Sequence, residues 1–194
     1  MNAFASTIEV GEKAPYFSLF DQDGNSHELD DYKGRRLVIY FFPKVHTPGW
    51  IKQACGFRDE FETFEEYNIS ILGVSFDSEV ALKSFKNKYD LEFNLLSDLD
   101  KNMGNAYGVN RFYFFPSRKT FLINEQGILI HVFDSVNLHS HPLDILEFFT
   151  KYNPGVINEN INWILRYLKL FAECFQFGRG VKISLVSCQS KIDT

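Results

Sequence analysis

Only three cysteines occur in the 194 residues, at positions 55, 174 and 188. An odd count at such wide spacing excludes a disulfide framework, and a reducing, cytoplasmic setting is the natural expectation. Long apolar runs are also missing. The longest spans residues 37–42, far short of the ~20 residues that cross a bilayer, so no membrane span is expected. The opening MNAFASTIEV has neither the basic region nor the apolar stretch of a secretory signal. Basic charge is in deficit: 20 Lys and Arg stand against 25 Asp and Glu, a net charge of −5. That balance argues against a general nucleic-acid surface, which needs a clustered basic footprint. Internal repeats and low-complexity tracts are absent as well.

What remains is the composition of a folded protein, 45% hydrophobic and 23% charged, with 21 phenylalanines to fill an aromatic core. The chain is long enough for one well-buried domain plus an appendage. Early β signals occupy residues 14–20 and 26–29, with turn chemistry between them at Asp21-Gln22-Asp23-Gly24. Residues 37–42 show no polar alternation, as expected of a central strand buried on both faces. Ala54, Phe57, Phe61 and Phe64 recur at helical spacing, predicting one helix over about 50–67. Residues 69–76 read as the next buried strand, and Ser78 as the cap of a helix running through Tyr89. A short strand or turn at 95–98, a brief helix over 100–107, a hairpin over 119–133 and a helix over 142–152 follow. Strands and helices alternate first, and a hairpin with a helix closes the unit. The expected fold is therefore α/β, a mixed central sheet with helices on both faces.

At Asn153-Pro154-Gly155 the chain changes character. Residues 160–194 carry five Lys/Arg and two Asp/Glu, a net of +3 that leaves −8 on residues 1–159. Ile161, Ile164, Leu165, Leu168, Phe171, Ala172 and Phe175 make one helical stripe. The expected organisation is a domain over 1–153 and a C-terminal helical appendage over 154–194. Self-association or a protein partner would engage residues 160–177.

The chemistry concentrates in FFPKVHTPGWIKQACGF, residues 41–57. A strand end, Pro43, a turn with Thr47, and a helix start at position 50 make an address for a reactive group. A cysteine in the first turn of a helix has its pKa lowered by unsatisfied N–H groups, and an arginine nearby lowers it further. A threonine hydroxyl three residues earlier could hydrogen-bond the thiolate and an incoming oxygen. Such a thiolate attacks an O–O bond and becomes a sulfenic acid, which a second thiol condenses with.

The spacing from Pro43 through Thr47 to position 50 resembles the peroxiredoxin pattern P-x-x-x-T/S-x-x-C. The wider string YFFPKVHTPGWIKQACGFRDEF is similar to the peroxiredoxin Q, or bacterioferritin comigratory protein, branch of the AhpC/TSA family. GEKAPYFSLFDQDG, LLSDLDKNMGNAYGV and RKTFLINEQGILIHVF extend the resemblance over about residues 9–152. It implies a thioredoxin-like fold of the peroxiredoxin type and thiol-dependent reduction of hydrogen peroxide and organic hydroperoxides. It also implies thioredoxin or a small thiol as reductant, and no cofactor.

Carried over residue by residue, Pro43 and Thr47 match the pattern, Arg118 matches the arginine that binds thiolate and peroxide, and Cys55 matches the resolving cysteine found five residues on in some members. Trp50 stands at the peroxidatic position. From this the sequence predicts an indole filling the peroxide pocket near Arg118 and a peroxidase that is impaired or inactive for want of its cysteine. The alternative is a non-catalytic homologue acting by binding. Cys55, more than a turn inside the helix and rotated from position 50, reads as a buried thiol. His46 reads as a solvated turn residue, and His139 with His141 lacks zinc-like spacing. The segment NRFYFFPS before Arg118 is shorter and more aromatic than the family's usual loop. Cys174 and Cys188 lack an adjacent threonine or proline motif.

Overall fold

A computed structural model describes residues 8–45, 48–110, 116–138 and 140–152. The strands are β1 (Ser18–Asp21), β2 (Ser26–Glu28), β3 (Arg36–Phe41), β4 (Ile69–Ser75), β5 (Asn94–Ser97), β6 (Lys119–Ile123) and β7 (Leu129–Phe133). The helices are α1 (Pro48–Asp59), α2 (Phe61–Glu66), α3 (Glu79–Tyr89), α4 (Asn102–Ala106) and α5 (His141–Tyr152). Together the strands form one mixed sheet in the order β2-β1-β5-β4-β3-β6-β7. This is the mixed sheet that the sequence pattern predicts and the thioredoxin-like arrangement that the resemblance implies, with α5 closing it.

β3 lies at the centre of the site-bearing half of the sheet. It runs parallel to β4 and antiparallel to β6, so that Ile39 sits opposite Leu72 on one side and Phe121 on the other. All six of its residues are buried because helices or chain cover both faces. Strand alternation sorts them. Val38, Tyr40 and Phe42 enter a core shared with α1, α2, α3 and α5, while Leu37, Ile39 and Phe41 join Met103 and Tyr107 from the α4 region on the opposite face. Gly73 on β4 makes room for the Tyr40 ring, since a Cβ there would lie 2.8 Å from the phenol oxygen.

Local signals hold where side chains can satisfy backbone groups nearby. Asp21 Oδ1 accepts from the amides of Asp23 and Asn25 at 2.8 and 2.9 Å, closing the β1–β2 turn. Asn124 Oδ1 does the same for Gln126 and Ile128 in the β6–β7 hairpin. Ser78 caps α3 by accepting from Ala81 N.

Two boundaries differ from the expected ones. The helix predicted over 50–67 begins at Pro48, whose fixed φ suits a first turn, and is interrupted at Glu60 (φ −106°, ψ 8°). Both Phe57 and Phe64 still reach the same core, with ring centroids 5.8 Å apart. The stripe at 161–175 and the whole appendage at 154–194 lie outside the described residues, as do His46, Thr47, residues 111–115 and His139.

Parallel strands β3, β4 and β5 finish at the same end of the sheet, the usual location for sites in open α/β sheets. Asp77, just past β4, holds that end together. Its Oδ2 accepts from Val45 N at 2.9 Å and from Ser75 Oγ at 3.0 Å, and its carbonyl accepts from Ser97 Oγ at 2.8 Å. The loop that carries Pro43 is thereby tied to the ends of β4 and β5.

Candidate active site

Pro43 is half-buried in the loop leaving β3, and α1 follows. Along α1, Trp50, Ala54 and Phe57 recur at helical spacing and are fully buried. The Trp50 indole lies flat on Phe42, with centroids 3.6 Å apart and planes within 4°, and contacts Tyr40 and Phe85 at 5.1 and 5.3 Å. It therefore belongs to the aromatic core. The expectation of an indole stacked near Arg118 and plugging a peroxide pocket is corrected: among the described residues its ring partners are three core aromatics, which outweigh a single cation–π contact.

Arg118 precedes β6 and reaches the first turn of α1. A Cβ on Gly49 would lie 3.2 and 3.4 Å from its two terminal nitrogens, so the absence of a side chain at 49 permits the approach. Burial pushes the Arg118 pKa down from its usual value, but a guanidinium stays charged in any accessible range. Its Nε is buried without a hydrogen-bond partner, and no described carboxylate forms an ion pair with it. A cation beside the positive end of a helix suits an anionic or strongly dipolar oxygen ligand.

Cys55 lies six residues beyond Gly49, about 9 Å along the helix axis. It is a free thiol and half-buried, which corrects its reading as a buried one: position 55 falls on the flank of α1, off the ridge of Trp50, Ala54 and Phe57. Arg58 follows one turn later. The Arg58 pKa is raised chiefly by its hydrogen bonds to Asp59, at 2.7 and 2.9 Å, with negative charge at Cys55 a smaller contribution. A cation is thus within electrostatic reach of the sulfur.

The expectation of a chain lacking its catalytic cysteine, and impaired for that reason, is overturned by this thiol. A free, half-buried cysteine stands on α1, the helix that follows the Pro43 loop. The structure brings Gly49 and Arg118 together at the start of α1 and places Cys55 further along the same helix. Thr47 lies outside the described residues.

Gln53 escaped the sequence reading. It is fully buried, and neither atom of its amide finds a partner among the described residues. Its signal was legible as a polar residue three positions after Trp50, on the inward side of an amphipathic helix. Among the described residues, no three His, Cys, Asp or Glu side chains gather as metal ligands, and no helix is long and apolar enough to cross a membrane. A surface cleft of about 350 Å³ lined by Tyr16, Phe20, Glu79, Leu99 and Met103 includes no residue of α1 and is separate from this site.

Comparison with known proteins agrees with this geometry. A model of the AhpC/TSA family matches residues 10–132. The Coxiella burnetii bcp protein, which carries a peroxiredoxin name, is 44% identical over 147 residues, covering 72% of this chain and 97% of its own. Peroxiredoxin Bcp of Bacillus subtilis is 39% identical over 148 residues, covering 73% of this chain and 94% of its own. The Xanthomonas campestris bacterioferritin comigratory protein, a solved structure described with alkyl peroxide reduction activity, superposes with a TM-score of 0.66 at 29% identity. That match covers 70% of this chain and 91% of the other.

Proposed function

Because the chain belongs to the AhpC/TSA family, in its peroxiredoxin Q and bacterioferritin comigratory protein branch, we propose that it reduces hydroperoxides with Cys55 as the attacking thiol. The observation that carries this reading is the free, half-buried Cys55 on α1, with Arg58 within electrostatic reach. Arg118, which lies against Gly49 in the first turn, supports an oxygen-binding role for the start of the same helix, and the resemblance adds Pro43 and Thr47 to that role. Alkyl hydroperoxides join hydrogen peroxide as candidate substrates, since the Xanthomonas relative is described with that activity.

In the chemistry proposed, the Cys55 thiolate attacks the distal oxygen of a hydroperoxide. The S–O bond forms as the O–O bond breaks. Sulfur is oxidised to sulfenic acid, and the departing alkoxide or hydroxide takes a proton and leaves as alcohol or water. A second thiol then attacks the sulfenic sulfur, forming a disulfide and expelling water. A dithiol reductant such as thioredoxin, or a small thiol, returns Cys55 to the thiol. Arg118, at the start of the same helix, would draw an anionic or strongly dipolar oxygen ligand toward α1. Such recycling needs a reducing compartment, which favours the cytoplasm.

The test is peroxide consumption with dithiothreitol by the wild type and Cys55→Ser, with mass-spectrometric trapping of sulfenic acid after a low peroxide dose. Turnover and a trapped sulfenate at Cys55, both lost in Cys55→Ser, support the proposal. Equal turnover in the two proteins, or none in either, would sink it.

A further inference from the structure

Four elements meet at one imidazole. His141, the first residue of α5, is only 1% exposed. Its Nε2 lies 2.8 Å from Thr120 Oγ1 on β6. Its ring meets Phe57 of α1 edge-on at 5.8 Å and Phe133 of β7 at 5.1 Å, with interplanar angles of 81° and 90°. Its backbone amide is held by the carbonyl of Asn137 at 2.9 Å.

Strand alternation puts Thr120 and Leu122 on one face of β6, the face covered by α1 and α5, and Arg118, one residue before the strand, continues that row. Leu122 enters the core with Trp50 and Phe57, and Thr120 meets His141. The same row therefore carries the guanidinium that lies against Gly49. Phe57 in turn stacks on Tyr40 at 4.7 Å, which sets the depth of α1 on the sheet. Displacing the imidazole would loosen both partners of the Gly49–Arg118 contact.

We propose that His141 is a positioning residue of the peroxide site: as a neutral imidazole bonded to Thr120, it holds helix α1 and the Arg118 strand in register. This rests on the functional reading above and names a residue that the chemistry there does not use. Charged groups facing the ring are few. Arg118 opposes its protonation and Asp144 on α5 favours it, while α1 and β7 present only Phe57 and Phe133. Burial dominates, and His141 is pushed down to about 4. Protonation would set a second cation beside Arg118 in a space with no carboxylate bonded to either.

The test combines spectra with kinetics on wild type, H141Q, H141L and T120V. Proton–nitrogen spectra follow the Arg118 Nε–H signal from pH 7 downward. In the wild type it is expected to shift with the midpoint of the His141 ring resonances, and in H141Q that midpoint is expected to vanish. At pH 7, T120V is expected to shift or broaden the Arg118 signal, a comparison that holds even where acid unfolds the protein. In the peroxide assay, H141L is expected to lower kcat/KM for peroxide about ten- to a hundredfold, with turnover at saturating peroxide nearly unchanged. H141Q, which can still bond Thr120, should recover most of the loss. An Arg118 signal indifferent to His141 and to Thr120 overturns the inference whatever the assay gives. Coupled spectra with no turnover by the wild type would instead overturn the functional reading and leave His141's positioning role standing.

Discussion

The two faces of the sheet bury polar groups in different ways. On the α4 face, Asp98 is fully buried and accepts from the backbone amides of Met103 and Gly104 at 3.2 and 2.7 Å. Tyr107 on that face donates its hydroxyl to the carbonyl of Pro15 at 2.9 Å. On the α1 face, the Tyr40 hydroxyl, the Trp50 indole N–H and the whole Gln53 amide are buried with no partner. A buried polar group left unpaired costs roughly 1–3 kcal/mol. The α4 face thus uses Asp98 and Tyr107 to hold structure and leaves the Asn110 Oδ1 beside Gly104 unpaired among the described residues, while the α1 face carries the larger standing cost beside the candidate site. Unsatisfied groups concentrate at functional sites more often than in structural layers.

Four outcomes would break or sharpen that contrast. The largest should come from Cys55→Ser, which is expected to reduce peroxide turnover to background in the dithiothreitol-coupled assay. The same change should leave the melting temperature within a few degrees, because the side chain is half-exposed and isosteric. Arg118→Met is expected to lower kcat/KM for peroxide by about tenfold, since it removes the cation that draws the oxygen ligand to the start of α1. If Arg118→Met matched the wild type, the start of α1 would have no part in the chemistry.

The third prediction concerns pH and stability. His141 lies at about 4 in the folded chain against about 6.5 unfolded. Above pH ~6.5 both states hold a neutral ring, and the difference contributes nothing. As pH falls below that, the unfolded state takes up the proton first, so stability is lost down to the folded value. The shift corresponds to about 3 kcal/mol. Urea titrations between pH 7 and 4 should show this slope in the wild type and a flatter one in His141→Gln.

The smallest effects distinguish the faces most directly. Tyr107→Phe should cost about 1 kcal/mol, since it leaves the Pro15 carbonyl without its donor. Tyr40→Phe should be neutral or stabilising by up to about 1 kcal/mol, and Gln53→Met stabilising by about 1–2 kcal/mol, since each removes groups that bond nothing. Chemical denaturation of the three variants gives the comparison. A Tyr40→Phe loss equal to that of Tyr107→Phe would mean that the α1 face is satisfied after all.

Much of the fold was legible in the sequence because its signals are local or periodic. Residues 37–42 announced a strand buried on both sides, Ser78 announced the start of α3, and Asp21 announced its turn. The interruption at Glu60 was not legible, since Phe57, Phe61 and Phe64 keep helical spacing through it. The candidate site was half legible. Pro43, Thr47, Cys55 and Arg118 stood out by spacing and resemblance, yet Trp50 was assigned to a pocket that it does not occupy, and Cys55 to a burial that it does not have. Gln53 and His141 drew little notice, because one polar residue in an amphipathic stripe has no meaning until its surroundings are known.

By itself the sequence determined the order of elements and the sheet-helix layering, because hydrophobic period, caps and turn residues act over a few positions of chain, and its motifs carried the family resemblance. Only the tertiary structure decided where Trp50, Arg118 and His141 point. Those directions depend on contacts between residues far apart in the chain: Trp50 with Phe42 and Phe85, Arg118 with Gly49, and His141 with Thr120 and Phe57. A side chain's direction follows from the packing of all its neighbours at once, and no local pattern encodes it.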